Sequence, residues 1–347
     1  MSTEKLQQNN NPEFNSKHPR DNDGKFTSKN GGQSSVSYTK NGSVNSFKTT
    51  VKEEPKGNQY EPNKNTEEII LINNSQVSKS TGFRKHTRQQ IDKLINEKGF
   101  NNPEIKNFLN EIKELSKNPT NLINTPERNK SREDWLNNEF NLQLNSRTIK
   151  KERVATIILG LPASGKSSIA DPLKNQYSSF EIDADIFKDY IPEYRKNSAA
   201  VSQVHEESSD LTKEFQKRVM AEGYNMVIPK VGGNKEKMKK IIDQLKASGY
   251  TVNLTLAQLP IDKALERDMG RYVHGKEKKA KAIAEGRTDY KEARLVNPSL
   301  IVSDEGLPIA TYEYCKKFCS SYGAWSTDVP RGAKPKLIEK SKNMISL

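Results

Sequence analysis

The sequence is poor in apolar residues and in cysteine. Only 32% of its 347 residues are hydrophobic, whereas globular domains are close to half apolar. The two cysteines, Cys315 and Cys319, are too few for a disulfide framework, so we expect reduced thiols in a cytosolic protein. No run approaches the roughly 18 consecutive apolar residues that span a membrane, and residues 1–10 lack the apolar centre of a secretory signal. These absences predict a cytoplasmic protein without a membrane span.

The apolar deficit is concentrated in the N-terminal part of the chain. Residues 1–64 contain ten hydrophobic residues, and their ten Lys/Arg against seven Asp/Glu leave a net charge of +3. Such a segment cannot bury enough surface to offset an ordering cost of roughly 1–2 kcal/mol per residue. We therefore predict a disordered low-complexity arm over residues 1–79. Most of the formal charge of +13 then lies in the part that folds.

The next segment has the periodicity of short helices. Apolar residues such as Ile105, Phe108 and Ile112 recur at spacings of three and four, which predicts a small helical region over 80–150 that docks on the following domain. Ser131 and Asp134 resemble a capping box that opens one of these helices. At the other end, we expect residues 306–347 to form a C-terminal helix and a basic tail, with Trp325 at the surface.

A nucleotide-binding pattern begins at residue 154. The nearly continuous apolar run 154–159 is typical of a buried parallel strand, and residues 160–167 match the Walker A pattern G-x-x-x-x-G-K-S. In such a loop Lys166 supplies a charge for the β- and γ-phosphates, and the Ser167 hydroxyl is a ligand for Mg²⁺. The sequence thus predicts that ATP and Mg²⁺ are bound here. The predicted binding residues are Gly160, Leu161, Pro162, Ala163, Ser164, Gly165, Lys166, Ser167 and Ser168.

Strand-like and helical runs alternate beyond this loop. Further strands are predicted over 180–182, 225–228, 250–257 and 299–302, with helices between them. This alternation predicts an α/β P-loop NTPase fold over residues 151–305, with a mostly parallel sheet and flanking helices. Because ligands of such sheets bind at the carboxyl ends of the strands, the Walker A loop, Asp183 with Asp185, and the turn 229–233 should converge on one cleft.

Two further features favour a small-molecule kinase among P-loop proteins. The chain has no Asn-Lys-x-Asp motif of the kind that reads guanine in GTPases. Asp183 and Asp185 end the strand that should lie next to the Walker A strand, where a carboxylate can orient an acceptor hydroxyl. A basic run extends from Arg271 to Arg287, and its arginines could close over the transferring phosphoryl group.

Over residues 153–303 the sequence resembles the zeta toxins, P-loop kinases of bacterial toxin–antitoxin systems. The resemblance consists of ordered matches: the Walker A octet, Ile-Asp-Ala-Asp-Ile-Phe-Lys at 182–188, Val-His-Glu-Glu-Ser at 204–208, Glu-Gly-Tyr-Asn-Met-Val-Ile at 222–228, and the segment around Arg271. It implies ATP-dependent phosphorylation of a hydroxyl of a nucleotide sugar such as UDP-N-acetylglucosamine, and an antitoxin protein as a partner. It also implies Asp185 as the general base, Lys166 on the phosphates, and Arg271 and Arg287 as charge-neutralising arginines.

The resemblance fails at one position on the acceptor side. After the strand 225–228 the family places an acid and then a threonine, but this chain has Pro229 and Val231. Neither side chain can accept a hydrogen bond, whereas Lys230 between them would suit an anionic group. We therefore expect an altered acceptor, or the same sugar bound in a modified geometry.

Other acidic residues are candidates for contacts with the acceptor. Asp183, Glu206 and Glu207 could accept hydrogen bonds from its hydroxyl groups. For the two glutamates the alternative is an acidic first helical turn that interacts favourably with the helix dipole.

Two other functions are compatible with the sequence. The net charge of +13 would suit a nucleic-acid-associated P-loop protein, either a polynucleotide-kinase-like enzyme or a switch. No aromatic platform is interleaved with the basic stretches, which disfavours single-strand binding. Pro229 would also be compatible with a catalytically inactive relative that binds ATP and acts as an interaction module.

Overall fold

The computed structural model describes residues 86–287, 294–345 and 347. The predicted disordered arm over residues 1–79 lies outside these residues. Among the described residues, no helix combines the length and the apolarity that crossing a bilayer requires.

The centre of the fold is a six-stranded sheet with the order β2-β3-β1-β4-β5-β6. All neighbouring strands are parallel except β5 and β6, which are antiparallel. Helices connect the parallel strands, which confirms the predicted α/β P-loop fold with a mostly parallel sheet. In chain order the strands are β1 (Val154–Leu159), β2 (Phe180–Glu181), β3 (Met226–Lys230), β4 (Thr251–Gln258), β5 (Ser321–Ser326) and β6 (Lys336–Lys340).

Helices precede the sheet and fill the connections between its strands. Among the described residues, those before β1 are α1 (Arg88–Glu97), α2 (Pro103–Leu115) and α3 (Pro126–Ser146). Between β1 and β3 lie α4 (Ser167–Gln176), α5 (Ala184–Lys188), α6 (Pro192–Lys196) and α7 (His205–Ala221). Beyond β3 lie α8 (Lys235–Ala247), α9 (Ile261–Ala284), α10 (Pro298–Ser303) and α11 (Leu307–Cys315).

Alternating side chains of β1 serve two cores, one on each face of the sheet. Ile157 and Leu159 belong to the larger cluster together with Phe180 and Phe215, whereas Ile158 packs in a separate cluster with Trp325. All these side chains are nearly inaccessible to solvent. A central parallel strand that is buried on both faces is apolar at nearly every position, and this is why residues 154–159 contain a single polar residue, Thr156.

The helices before β1 pack on this α/β unit. Leu136 of α3 is buried in the larger core, and Ile105 of α2 belongs to a third cluster with Leu265 and Tyr272 of α9. The start of α3 differs from its predicted position. Its N-cap is Thr125, whose hydroxyl accepts from the Arg128 amide at 3.2 Å, and Pro126 follows at the first helical position. The prediction that Ser131 opens this helix is therefore wrong, because an equally good cap with a favourable proline occurs one and a half turns earlier.

Two predictions for the C-terminal part are also wrong. Residues 299–302, predicted as a strand, lie in helix α10, because Asn297 caps that helix by accepting from the Ser299 amide at 3.0 Å and Pro298 starts it. Trp325, predicted at the surface, is only 2% exposed. It lies in β5, which adds to β4 in parallel register from Ser321 to Ser326. The polar and glycine residues of β5 give no strand pattern in the sequence, and the strand is stabilised by its pairing with β4.

Candidate functional site

The Walker A loop connects the carboxyl end of β1 to the start of α4. Two of its residues have left-handed backbone conformations: Ala163 with φ 58° and Gly165 with φ 77°. At Gly160 a Cβ would lie 2.8 Å from the Ala257 carbonyl oxygen, so only glycine fits between the loop and β4. The loop therefore curls back over its own strand, as a cradle of backbone N–H groups requires.

Lys166 is folded into the mouth of this loop. Its Nζ donates to the carbonyl oxygens of Gly160 and Leu161, both at 2.8 Å. Burial lowers the pKa of Lys166 to about 8, although the neighbouring Asp183 and Asp185 act in the opposite direction. The ammonium is thus held where it can exchange carbonyl partners for phosphate oxygens.

Residues distant in sequence brace the loop from behind. Thr327, just after β5, donates from Oγ1 to the Ser164 carbonyl at 2.6 Å. Arg267 of α9 donates to the Thr327 carbonyl at 2.6 Å and to the Val329 carbonyl at 3.2 Å. Arg267 thus connects α9 to the segment that supports the phosphate-binding loop.

Asp183 and Asp185 lie just after β2, within electrostatic reach of Lys166 in the Walker A loop. The prediction that their strand lies next to the Walker A strand is wrong, because β3 lies between β2 and β1. Asp183 caps α5, and its Oδ1 accepts from the Asp185 amide at 3.0 Å. The carboxylate of Asp185 is paired on both oxygens, with Lys188 Nζ at 3.1 Å and Arg294 Nη2 at 2.6 Å. Burial opposes ionisation of Asp185, but Lys188 and Arg294 outweigh it and hold its pKa well below the usual range. Burial and the nearby Asp185 raise the pKa of Asp183.

Arg294 is the main site residue that the sequence did not reveal. It follows the segment 288–293, which lies outside the described residues, and no motif marks it. Its position depends on Asp268, a fully buried carboxylate on α9. Asp268 accepts from the Val296 amide at 2.8 Å and pairs with Arg271. Asp268 therefore brings two arginines to the cleft at once, and both act electrostatically on Lys166.

The structure separates the two arginines named from the sequence. Arg271 lies on α9 within electrostatic reach of Lys166. Arg287 lies beyond the end of the same helix, is exposed, and donates from Nε to Glu285 at 2.9 Å. The arginine that pairs with Asp185 is Arg294.

The two glutamates of α7 have different environments. Glu207 is 2% exposed and accepts from Arg128 Nε at 2.9 Å and from Arg132 Nε at 2.7 Å. Burial opposes its ionisation, but the two arginines lower its pKa below the usual value. Its carboxylate is therefore engaged by α3, whereas Glu206 is half-buried in the first turn of α7.

Strand β3 ends without an acidic side chain in the cleft. Pro229 is buried and pairs with Ile158 of β1. The Val227 carbonyl accepts a hydrogen bond from the Ile182 amide on the β2 side of β3. Pro229 lies two residues further along, so an N–H at its position would point to the same side. Because β2 has already ended there, the proline costs no strand-pairing hydrogen bond. Lys230 is half-buried. Burial lowers its pKa, which the nearby Asp183 opposes.

The Walker A loop also has oxygen groups that could contact a nucleotide or a divalent ion. Ser167 is exposed in the first turn of α4, and the Ser164 side-chain oxygen is buried with no hydrogen-bond partner among the described residues. No group of three or more His, Cys, Asp or Glu side chains in the described ranges is arranged to hold a metal ion. Mg²⁺ commonly uses one or two protein ligands plus phosphate oxygens, so this arrangement fits it.

Comparison with known proteins identifies the family of this region. The zeta toxin family model matches residues 141–299, and no curated protein sequence matches the chain. A chain of the PezAT chromosomal toxin–antitoxin system of Streptococcus pneumoniae is similar, with 15% identity, a TM-score of 0.47, and coverage of 62% of this chain and 83% of its own. The AvrRxo1-ORF1:-ORF2 structure with ATP has 16% identity, a TM-score of 0.46, and coverage of 62% and 68%.

The family match spans the Walker A loop, both aspartates of the cleft, Arg271 and Arg294. The resemblance inferred from the sequence is therefore confirmed. Residues 141–299 of this chain thus match the zeta toxin family over the whole of the candidate site.

Proposed function

We propose that this protein is an ATP-dependent phosphotransferase that phosphorylates a hydroxyl of a small molecule, with a nucleotide sugar such as UDP-N-acetylglucosamine as the leading candidate. The observation that carries the proposal is the position of Asp185. It lies beside Lys166 of the Walker A loop and is paired with Arg294. A phosphate-binding lysine, an acceptor-side carboxylate and cleft arginines are the parts that phosphoryl transfer needs.

Each group has a role that follows from its environment. Lys166 and the backbone N–H groups of 160–167 would hold the phosphates of ATP, and the Ser167 hydroxyl would be a ligand for Mg²⁺. Bound Mg²⁺ neutralises phosphate charge. Arg271 and Arg294 add positive charge around the transferring group. Such arginines contribute about 10³–10⁵ in rate.

Asp185 orients the acceptor hydroxyl by accepting a hydrogen bond from it, and it does not need to remove the proton before the attack. Two cations hold its pKa well below the usual range, so it is ionised and can accept a hydrogen bond from a hydroxyl group. Because the transition state of phosphoryl transfer is loose in most analyses, little deprotonation of the hydroxyl is needed before the phosphorus is attacked. Asp183, which caps the same helix, and Lys230, which is within electrostatic reach of Asp183, are the further candidates for contacts with the acceptor.

The partner and location follow from the family. An antitoxin protein is the expected partner, because zeta toxin domains belong to toxin–antitoxin systems. We place the reaction in the cytoplasm, where ATP and nucleotide sugars are both present.

The direct test is phosphoryl transfer from labelled ATP to a panel of nucleotide sugars. We expect label on at least one compound with the wild-type protein, and none with Lys166→Ala or Asp185→Ala. The control is Lys278→Ala, an exposed lysine on the same basic helix as Arg271, which should retain full transfer.

Growth of bacteria that express the same variants separates the kinase from an inactive ATP-binding relative. A toxic kinase loses its toxicity with Lys166→Ala and with Asp185→Ala. If neither substitution changes growth and no compound is labelled, the proposed function is wrong.

A further inference from the structure

The acceptor side of the cleft has an acid that does not come from β3. Pro229 and Val231 leave the end of β3 without a hydrogen-bonding side chain. Asp304, the residue after α10, lies opposite this end. Its Oδ1 is 3.8 Å from the position that a Cβ on Gly233 would occupy, and its carboxylate is within electrostatic reach of Lys166. Asp304 is therefore close to the turn that follows β3 and within electrostatic reach of the phosphate-binding lysine.

The backbone holds Asp304 and this turn together. The Asp304 amide donates to the Leu300 carbonyl at 3.2 Å, and the Asp304 carbonyl accepts from the Leu307 amide at 3.1 Å. From α11, Thr311 Oγ1 donates to the Gly232 carbonyl at 2.6 Å. The segment that carries Asp304 thus also positions the turn it faces, and a site built this way is preorganised.

Among the described residues, the carboxylate of Asp304 has no structural partner. It is half-buried, and within the described ranges no donor forms a hydrogen bond or ion pair with it. Its neighbour Glu305, in contrast, is paired with His86 at 2.7 Å. Burial raises the pKa of Asp304 to about 6, although Lys166 acts in the opposite direction. A partly buried acid without a partner in a cleft is a candidate for binding a ligand.

The surrounding charges indicate the kind of group that Asp304 would bind. An anion beside a phosphate site repels phosphate, so its partner must be a hydrogen-bond donor such as a hydroxyl or amide group. Lys230, at the end of β3, could meanwhile hold an anionic part of the same molecule. A phosphorylated or nucleotide-linked polyol has both features.

We propose that Asp304 is a substrate-binding residue that accepts a hydrogen bond from the acceptor and supplies the acidic contact that Pro229 does not provide. This inference rests on the proposed function, because it assigns a residue on the acceptor side of the same cleft. Asp304 lies outside residues 141–299 that match the family model.

The experiment compares wild type with Asp304→Ala and Asp304→Asn on the compound in the nucleotide-sugar panel that wild type phosphorylates best. We expect Asp304→Ala to raise the KM for that compound by about 10- to 100-fold, as the loss of a hydrogen bond to a charged group does. The KM for ATP should stay within about threefold. Calorimetric titration of the same compound without ATP should show an equal loss of affinity. The control is Asp210→Asn, an exposed carboxylate on α7 that pairs with Lys213.

The pH dependence separates a binding role from a structural one. In wild type, kcat/KM for the acceptor should fall below about pH 6, because the protonated Asp304 carboxyl accepts hydrogen bonds poorly, and Asp304→Asn should lack this acid limb. Unchanged acceptor KM and affinity in Asp304→Ala would overturn the inference and leave the proposed function intact. If wild type phosphorylates no compound, the proposed function fails and the inference fails with it.

Discussion

Arg294 Nη2 lies 2.6 Å from Asp185 Oδ2, and this ion pair joins the segment after α9 to the end of β2. Both members of the pair lie within electrostatic reach of Lys166 in the Walker A loop. It depends on Asp268, which holds the Val296 amide and Arg271 at the same time. One buried carboxylate on α9 thus determines where the cleft arginines lie.

Arg294 should matter more to catalysis than Arg287. We expect Arg294→Ala to lower kcat by about 10³–10⁵, the range for an arginine that neutralises a transferring phosphoryl group. Arg287→Ala should stay within about threefold, because Arg287 is exposed beside Glu285. Single-turnover transfer rates measure the difference. A larger loss in Arg287→Ala than in Arg294→Ala would contradict the site described here.

Replacing Asp185 by Asn should slow transfer without preventing nucleotide binding. We expect a loss of about 10²–10⁴ in kcat, with an affinity for a non-hydrolysable ATP analogue close to that of wild type. Because the substitution leaves Lys188 and Arg294 without their anionic partner, Tm should be measured in parallel. If kcat is unchanged in a folded variant, Asp185 does not contact the acceptor.

Nucleotide affinity should depend on pH through Lys166. Its pKa of about 8 means that the free protein loses the ammonium as the pH rises above 8, whereas phosphate binding requires the charged form. We expect the affinity for ATP to fall above pH 8, by up to about tenfold per pH unit. Lys166→Met should bind ATP weakly and with no such dependence between pH 7 and 9. A pH-independent wild-type affinity over that range would contradict the prediction.

Glu207 should contribute to stability rather than to substrate binding. Arg128→Ala leaves this buried carboxylate with one partner fewer, and breaking a buried ion pair costs about 3–5 kcal/mol of unfolding free energy. The pKa of folded Glu207 is lowered, so its contribution is present at neutral pH and is lost as the pH falls below about 4. Denaturant unfolding at pH 7 measures the loss. The control is Arg218→Ala, which removes a more exposed pair with Glu133 and should cost less than about 1 kcal/mol.

Trp325 should be essential to the folded sheet. We expect Trp325→Ala to cost about 3–5 kcal/mol, as the loss of a fully buried large side chain does. Leu337→Ala on β6 is the control, because Leu337 is 52% exposed and its truncation should be nearly neutral. Equal stability of the two variants would contradict the burial of Trp325 and favour the surface position predicted from the sequence.

The sequence alone determined those parts of the protein whose chemistry is local. The Walker A octet is contiguous, and the apolar run before it can only be a strand buried on both faces, so the loop, the lysine and the sheet class were all predictable. The positions of Asp183 and Asp185 were equally predictable from the sequence. A carboxylate just after a parallel strand lies at the carboxyl end of that strand, where ligands of such sheets bind.

Only the tertiary structure decided which distant residues complete the cleft. Arg294 reaches Asp185 because the buried Asp268 captures Val296, a contact with no sequence signal. Asp304 faces Gly233 because residues 299–302 form a helix, although their apolar run resembles a strand. Trp325 is buried because β4 offers β5 a partner, while the sequence of β5 is too polar to indicate a strand by itself. For Arg294 and Trp325, long-range packing and strand pairing outweighed local preference, and these interactions are not encoded within any one segment. Helix α10 differs, because the Asn297 cap and Pro298 are local signals that start it.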